Sequence, residues 1–354
     1  MGIRNPGKRH DSSSIEKRTE KKLRHPHTQT PDETTYPPGP VSHARPSLFA
    51  LVRVLSHRQR RLMTHRFLLL AVWLTMSVFA ADSSRLRVLL IDGQNNHDWR
   101  SSSPHLKKVL EASGRFAVEV MTLPSKGGDM AAVKPQLDGV AVVLSNYNGD
   151  LWPEELRTKL VTFVRNGGGF VSVHAANNAF SKWPEYNEMI GVGGWEGRNE
   201  QSGPWLYWEG KIVRDTSPGP GGSHGSQHAF QMTTREPKHP IMEGLPQEWM
   251  HAKDELYDRL RGPAKNLTVL ATAFSDPKTR GTGKHEPLLF TIAFGQGRVF
   301  HTALGHNNGP DLTSQKCVGF ITTLLRGTEW AATGRVTLPI PTDFPSATEV
   351  RSRE

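Results

Sequence analysis

Cysteine is nearly absent from this chain: Cys317 is the only one in 354 residues. A lone thiol builds no internal disulfide framework and leaves no cysteine-based zinc site. No cysteine stands near residue 81 either, so a lipoprotein anchor is not indicated. The run Gly167-Gly168-Gly169 is not followed by Gly-Lys-Ser or Gly-Lys-Thr, which excludes a phosphate-cradling Walker loop. Its glycines precede an apolar run and do not follow one, which excludes the dinucleotide fingerprint. The helical H-E-x-x-H zinc spacing does not occur, no serine-hydrolase elbow is expected, and no internal repeat is evident.

Basic charge is also missing from most of the chain, although the whole carries a formal +10. Residues 1–81 hold fourteen Lys and Arg against five Asp and Glu; the remainder holds 30 against 29. The basicity therefore belongs to the N-terminal prefix, and nucleic-acid binding loses its main support. Within that prefix Met63-Thr-His-Arg66 is a short basic start, and Phe67 to Phe79 is an apolar core too short for a comfortable membrane span. Val78-Phe79-Ala80 supplies small residues for cleavage, so residues 63–81 read as a signal peptide. Residues 1–62 then read as a disordered basic extension or a mis-assigned start. The expectation is export to the periplasm or beyond, with no stable membrane insertion once the leader is removed.

What is present has the pattern of an α/β protein. Arg87–Ile91, Phe116–Val120, Gly139–Leu144 and Phe170–Val173 are short apolar runs, with helical patterns beginning at Ser103-Pro104 and Pro153. Ser103 is the expected N-cap of the first, and Gly114 its end. This alternation predicts a doubly wound, mostly parallel sheet in a single domain over 86–330. Residues 177–226 read as a long Gly- and Trp-rich insertion. Further strands are expected over 266–272, 287–293 and 297–304, then a helix over 312–325 and an extended tail over 331–354.

The candidate site residues stand where strands should end, which is where open α/β sheets bind ligands. His97 follows the first strand and His174 the fourth; His306 follows the last, whereas His301 lies inside it and reads as structural. His251, Asp254, Glu255 and Tyr257 put carboxylates beside an imidazole and a phenol. Imidazole and carboxylate together suit general acid–base work or a zinc, manganese or iron site. His174 is equally readable as a strand-end histidine bonded to a loop, and Asp254 and Glu255 as a surface salt-bridge cluster. The predicted catalytic set is His174, Glu255, Asp254 and His97; the predicted metal set is His97, His174 and His306. Trp99, Asn177, Trp195, Arg198, Trp205, His224, His228 and Tyr257 are the predicted substrate-binding set. The tryptophans could stack on sugar faces or pin the insertion to the core.

Several of these stretches together resemble the ThuA-like, or trehalose-utilisation, family. They are Gln94–Trp99, Gly167–Ala176, Gly222–His228, His239–Leu245, Asp254–Tyr257, His285-Glu-Pro and Gly297–His306, spread over about 86–330. The resemblance implies a flavodoxin-like fold of the class I glutamine amidotransferase type. It also implies work on disaccharides or their 3-keto derivatives, with a small sugar or glycoside as partner; the cofactor expected from the imidazoles and carboxylates is a divalent metal. In amidotransferases a cysteine nucleophile occupies the turn after a central strand; here His174 takes that place. Glutamine hydrolysis is therefore not expected. The implied chemistry is that of an acid–base or metal-assisted sugar lyase, hydrolase or isomerase; the alternative is a non-catalytic carbohydrate-binding module.

Overall fold

The structure, a computed structural model, describes residues 85–354. The predicted signal peptide and the basic extension lie outside the described residues. The apolar runs of the first half form β1 (Leu86–Asp92), β2 (Phe116–Thr122), β3 (Val142–Ser145) and β4 (Gly169–Val173). Between them lie helices α1 (Trp99–Ala112) and α2 (Glu154–Arg165). Helix α1 starts earlier than Ser103. Asp98 is its N-cap, accepting from the Ser101 N–H at 3.4 Å and from the Ser101 hydroxyl at 2.5 Å. A carboxylate at the positive end of the helix dipole is a strong cap, and Pro104 is carried inside the helix.

The Gly- and Trp-rich insertion carries short regular elements. It contains α3 (Pro184–Ile190), β5 (Trp205–Trp208), β6 (Ile212–Asp215) and β7 (Ser223–His224). Trp183, Tyr186 and Phe180 pack with Tyr147 and Trp152 in one aromatic cluster, with ring centroids 5.0–6.3 Å apart. That cluster ties the start of the insertion to the core. Next come β8 (His228–Thr234), β9 (Glu248–Asp254), β10 (Tyr257–Asp258), β11 (Leu267–Phe274), β12 (His285–Phe294), β13 (Gly297–Thr302) and α4 (Val318–Thr333). The last helix thus begins and ends later than expected, because residues 312–317 form turns.

The main sheet runs β2-β1-β3-β4-β13-β12-β11-β8-β9. Its first five strands are parallel, in the flavodoxin-like order 2-1-3-4-5 with β13 as the fifth. From β13 to β9 every pairing is antiparallel. The sheet is therefore mixed, with a parallel centre that matches the class I amidotransferase-like expectation. Successive strand residues face opposite sides. Gly169 faces α4, where a Cβ would come within 2.7 Å of the Ala331 backbone. Phe170 faces α3 and meets the Tyr186 ring edge-on at 6.0 Å. Helices therefore cover both faces, and only glycine at 169 lets α4 approach this closely.

Residues 335–354 contain no helix and only an isolated bridge at Ser352, as an extended tail should, but they are bound along their length. Arg326 donates to the Leu338 carbonyl at 2.8 Å, Met250 to that of Ser346 at 2.8 Å, and Val318 to that of Arg351 at 2.8 Å. Among the described residues no helix is long and apolar enough to cross a membrane.

Candidate functional site

Strands β1, β4 and β13 end on the same side of the parallel centre, and each delivers a histidine beyond its last residue. His174 does so at a sharp turn: its φ is +46°, in the left-handed region that a non-glycine residue adopts at a cost of order 1–3 kcal/mol. A 3-10 turn over His174–Asn178 follows at once. Gly305, with φ +120°, lets the chain turn after β13 and sets His306 beside it. Glu255 arrives from the junction of β9 and β10. His97, His174, Glu255 and His306 each offer one ligand atom, and these atoms lie within 4.8 Å of one another. His174, Glu255 and His306 are buried, and His97 is partly so.

The hydrogen bonds around the cluster leave particular atoms pointing inward. His174 Nδ1 lies 2.8 Å from the Ala303 carbonyl, so it carries the proton and donates. Its Nε2 then presents a lone pair, buried and without a hydrogen-bond partner, 3.7 Å from Glu255 Oε2. His97 Nδ1 lies 3.2 Å from Asn308 Oδ1 and so carries the proton, while the Nε2 lone pair on the inner side faces the Asn96 amide nitrogen at 3.4 Å and the Tyr257 hydroxyl at 3.5 Å. His306 Nδ1 stands 3.0 Å from Glu255 Oε2 without the alignment of a hydrogen bond. Gln227 spans the far side, its amide nitrogen 2.9 Å from His306 Nε2 and 3.3 Å from Glu255 Oε1.

A lone pair facing a carboxylate is unfavourable unless a proton or a cation lies between them. The residues therefore fit a divalent ion by donor type, by inward-facing atoms and, at His174 and His97, by the bonds that place the proton on the other ring nitrogen. Bonds of about 2.0–2.2 Å set tetrahedral ligand atoms roughly 3.3–3.6 Å apart, so the cluster, whose ligand atoms lie within 4.8 Å of one another, would draw in by about 1 Å around an ion. Burial would raise the Glu255 carboxyl, but the imidazoles of His174 and His306 outweigh it and hold it well below the usual carboxylate range. Burial, with His174 beside it, pushes His97 down to about 4, the neutral form a ligand requires. Tyr257 is kept protonated by burial and by the charge of Glu255.

Below the cluster lies a second network. The fully buried Asp254 carboxylate accepts from His251 at 2.7 Å, from the N–H groups of Glu255, Gly305 and His306 at 2.7, 2.9 and 3.0 Å, and from the Ser314 hydroxyl at 2.5 Å. Burial opposes the charge, but His251 outweighs it and holds Asp254 at about 2. Burial would likewise strip the proton from His251, yet Cys317 and Asp254 beside it raise it to about 10. Asp254, expected among the catalytic groups, is fully buried, does not line the cavity and instead fixes the backbone of Glu255 and His306. Cys317 is wholly buried here, so no thiol stands at the His174 turn.

A cavity of about 300 Å³ opens over the cluster, lined by His97 and Glu255 and by Trp195, His224 and Tyr257 from the predicted substrate-binding set. Tyr257 stacks on His174 at 4.3 Å, and Trp195 meets Tyr257 edge-on at 4.7 Å. His224 Nδ1 bonds the Gly225 carbonyl at 2.8 Å and directs Nε2 to within 3.4 Å of Glu255 Oε1. Sequence reasoning missed Asn96, Asn148, Asn178 and Glu196 on the same wall, as well as Gln227. Their signal was faint: asparagines in the loops after β1, β3 and β4.

Five predicted contacts go elsewhere. Asn177 is one position off, its amide 3.0 Å from His301 Nε2 in the core, with Asn178 taking the cavity wall. The Arg198 guanidinium is buried and donates to the carbonyls of Asn178, Gly194 and Ala179 and to Asn187 Oδ1, at 2.7–3.0 Å. Trp205 lies under Arg261 at 4.2 Å, and Trp99 under Arg100 at 4.4 Å. His228 bonds the Ser226 carbonyl at 2.7 Å and leans on Phe230. His301 is structural as expected, buried and bonded to the Ile190 carbonyl at 2.7 Å. The stretch Gly221-Gly-Ser223-His-Gly225 does spell G-x-S-x-G, contrary to expectation. It lies at the two-residue antiparallel strand β7, not at a strand-to-helix turn, and so forms no elbow.

Fold and site together define an α/β protein of amidotransferase-like architecture in which a histidine occupies the strained turn and three imidazoles meet one carboxylate beside it. A family model described as "Trehalose utilisation" (ThuA) matches residues 87–331. The chain belongs to the ThuA family. It is similar to a ThuA-like protein from Parabacteroides merdae of known structure, with 50% identity over 76% of this chain and 98% of that one, and a TM-score of 0.73. A ThuA-like protein from Bacteroides uniformis is 16% identical over 72% and 93% of the two chains, with a TM-score of 0.47. No curated protein matches.

Proposed function

We propose that this protein is an exported, metal-assisted enzyme acting on a disaccharide or a 3-keto-glycoside. The observation that carries the reading is the convergence of His97, His174, Glu255 and His306, with the buried Nε2 of His174 turned toward a carboxylate and bonded to nothing. The family description supports a sugar as substrate, and the leader-like segment 63–81 supports action outside the cytoplasm. The near-neutral charge of residues 82–354 argues against a nucleic-acid partner.

A zinc, manganese or iron ion held by these four residues would supply a Lewis acid for negative charge developing on a sugar oxygen. The remaining steps belong to the chain. A ketone acidifies the neighbouring C–H. His224 Nε2, facing the cavity, is placed to take that proton, and the electron pair moves into the enolate. Collapse of the enolate restores the ketone, forms a C=C bond and expels the glycosidic oxygen, which takes the proton from His224 and leaves as an alcohol. Tyr257, held protonated, lines the same space with its hydroxyl 3.5 Å from His97 Nε2, and Trp195 offers a ring for the apolar face of a sugar.

The test is elemental analysis of freshly purified protein together with turnover of 3-keto-trehalose. Near-stoichiometric divalent metal, and turnover abolished in Glu255→Gln, are expected. Saturable sugar binding with neither metal nor turnover would replace the enzyme with a carbohydrate-binding module.

A further inference from the structure

A second cavity lies against the same imidazole. It has a volume of about 230 Å³ and is lined by Gln227, Lys253, His306 and residues 307–314. One layer of side chains separates it from the cavity over the cluster, and three contacts define that layer. His306 Nδ1 is 3.0 Å from Glu255 Oε2, the Gln227 amide nitrogen is 3.3 Å from Glu255 Oε1, and Asn308 Oδ1 is 3.2 Å from His97 Nδ1. In each pair one residue lines one cavity and its partner lines the other.

We propose that this second cavity is a sugar subsite, holding the departing ring of a glycoside whose reacting ring lies over His97 and Glu255. The proposal rests on the carbohydrate reading above and adds to it the requirement for two rings. Small-molecule sites span about 300–1,000 Å³, so each cavity alone stands at or below the lower end of that range and suits one ring. A disaccharide needs both. The layer between them carries Gln227, Asn308, His306 and Glu255, so a ligand occupying both cavities would cross over these side chains with its bridging oxygen. The lining suits a neutral ligand rich in hydroxyl groups: amides from Gln227 and Asn308, the Asp311 carboxylate, which also accepts from the Thr313 hydroxyl, and the exposed Lys253 ammonium. It offers no tryptophan, tyrosine or phenylalanine ring and no cluster of positive charge, which disfavours a nucleotide or a phosphorylated sugar.

Calorimetry on the metal-loaded protein, with trehalose and methyl α-glucoside as probes, tests this. Trehalose is expected to bind at least tenfold more tightly than methyl α-glucoside. Thr313→Trp, which fills the second cavity, should remove that advantage and leave methyl α-glucoside affinity unchanged. That unchanged affinity also reports that the variant is folded. Lys253→Ala, an exposed position, should weaken trehalose alone by about threefold. Equal affinity for the two sugars in the parent protein, or undiminished trehalose affinity in both variants, overturns the subsite and leaves the carbohydrate reading standing. Failure of either sugar to bind the parent protein overturns both.

Discussion

Asp254 Oδ1 accepts the backbone N–H of His306 at 3.0 Å, and the same oxygen accepts that of Glu255 at 2.7 Å. One buried carboxylate thereby fixes the backbone of two cluster residues that are 51 positions apart in sequence. Asp254→Asn turns an amide N–H toward donors that need an acceptor and leaves His251 without its counter-charge. A loss of about 3–5 kcal/mol is expected from breaking a buried pair. Ion binding should weaken about 10–100-fold, as for other outer-shell partners of a metal site. Urea denaturation and metal titration measure the two effects separately. A stability loss with unchanged ion affinity would make Asp254 a purely structural residue.

His174 combines backbone strain with an inward lone pair. Asparagine tolerates the left-handed region better than most residues, so His174→Asn is expected to fold with a melting temperature within a few degrees of the parent. It should lose ion binding by at least about 100-fold and turnover with it, since it removes a ligand and not merely an outer-shell partner. Thermal melts with and without added zinc would show the difference: the parent's melting temperature rises with ion concentration, and the variant's does not.

Gln227 faces His306 with its amide nitrogen, which suits a metal-free ring. For His306 to bind an ion through Nδ1, Nε2 must carry the proton and find an acceptor. Gln227→Glu supplies that acceptor but brings a second carboxylate to Glu255. The variant is therefore expected to be less stable than the parent without metal, and to gain more stability on binding it. Paired melts, apo and metal-loaded, check this; an unchanged gap between them would remove Gln227 from the site.

His301 reports on pH without touching the cluster. Burial holds it down to about 3, so it is neutral in the folded protein and becomes protonated in the unfolded chain below about 6.5. Its contribution to stability is complete above that value and is lost as pH falls toward 3, by at most about 1.4 kcal/mol per pH unit. His301→Gln should flatten the dependence of unfolding free energy on pH between 6.5 and 4.5. Denaturation series at several pH values would show equal slopes if His301 titrates alike in both states.

The parallel centre was legible because its strands are short, continuous apolar runs separated by helical patterns. The sheet beyond β13 was not read as antiparallel, because pairing direction is set by connections and not by the composition of a strand. Helix α1 was misplaced for a local reason: Ser103-Pro104 is a plausible cap, but the Asp98 carboxylate is a better one. In the insertion, aromatic content signalled order correctly but gave no direction. Trp195 reached the cavity, whereas Trp205 and Trp99 were each covered by an arginine.

By itself the sequence determined that histidines would stand past the ends of β1, β4 and β13, since glycines and polar residues end those apolar runs. It also determined that no thiol could serve at the His174 turn. Only the tertiary structure decided that Glu255 joins the three imidazoles while its neighbour Asp254 turns beneath them. Adjacent residues at the end of a strand point to opposite sides, and which side faces the cleft depends on packing against strands far away in the chain.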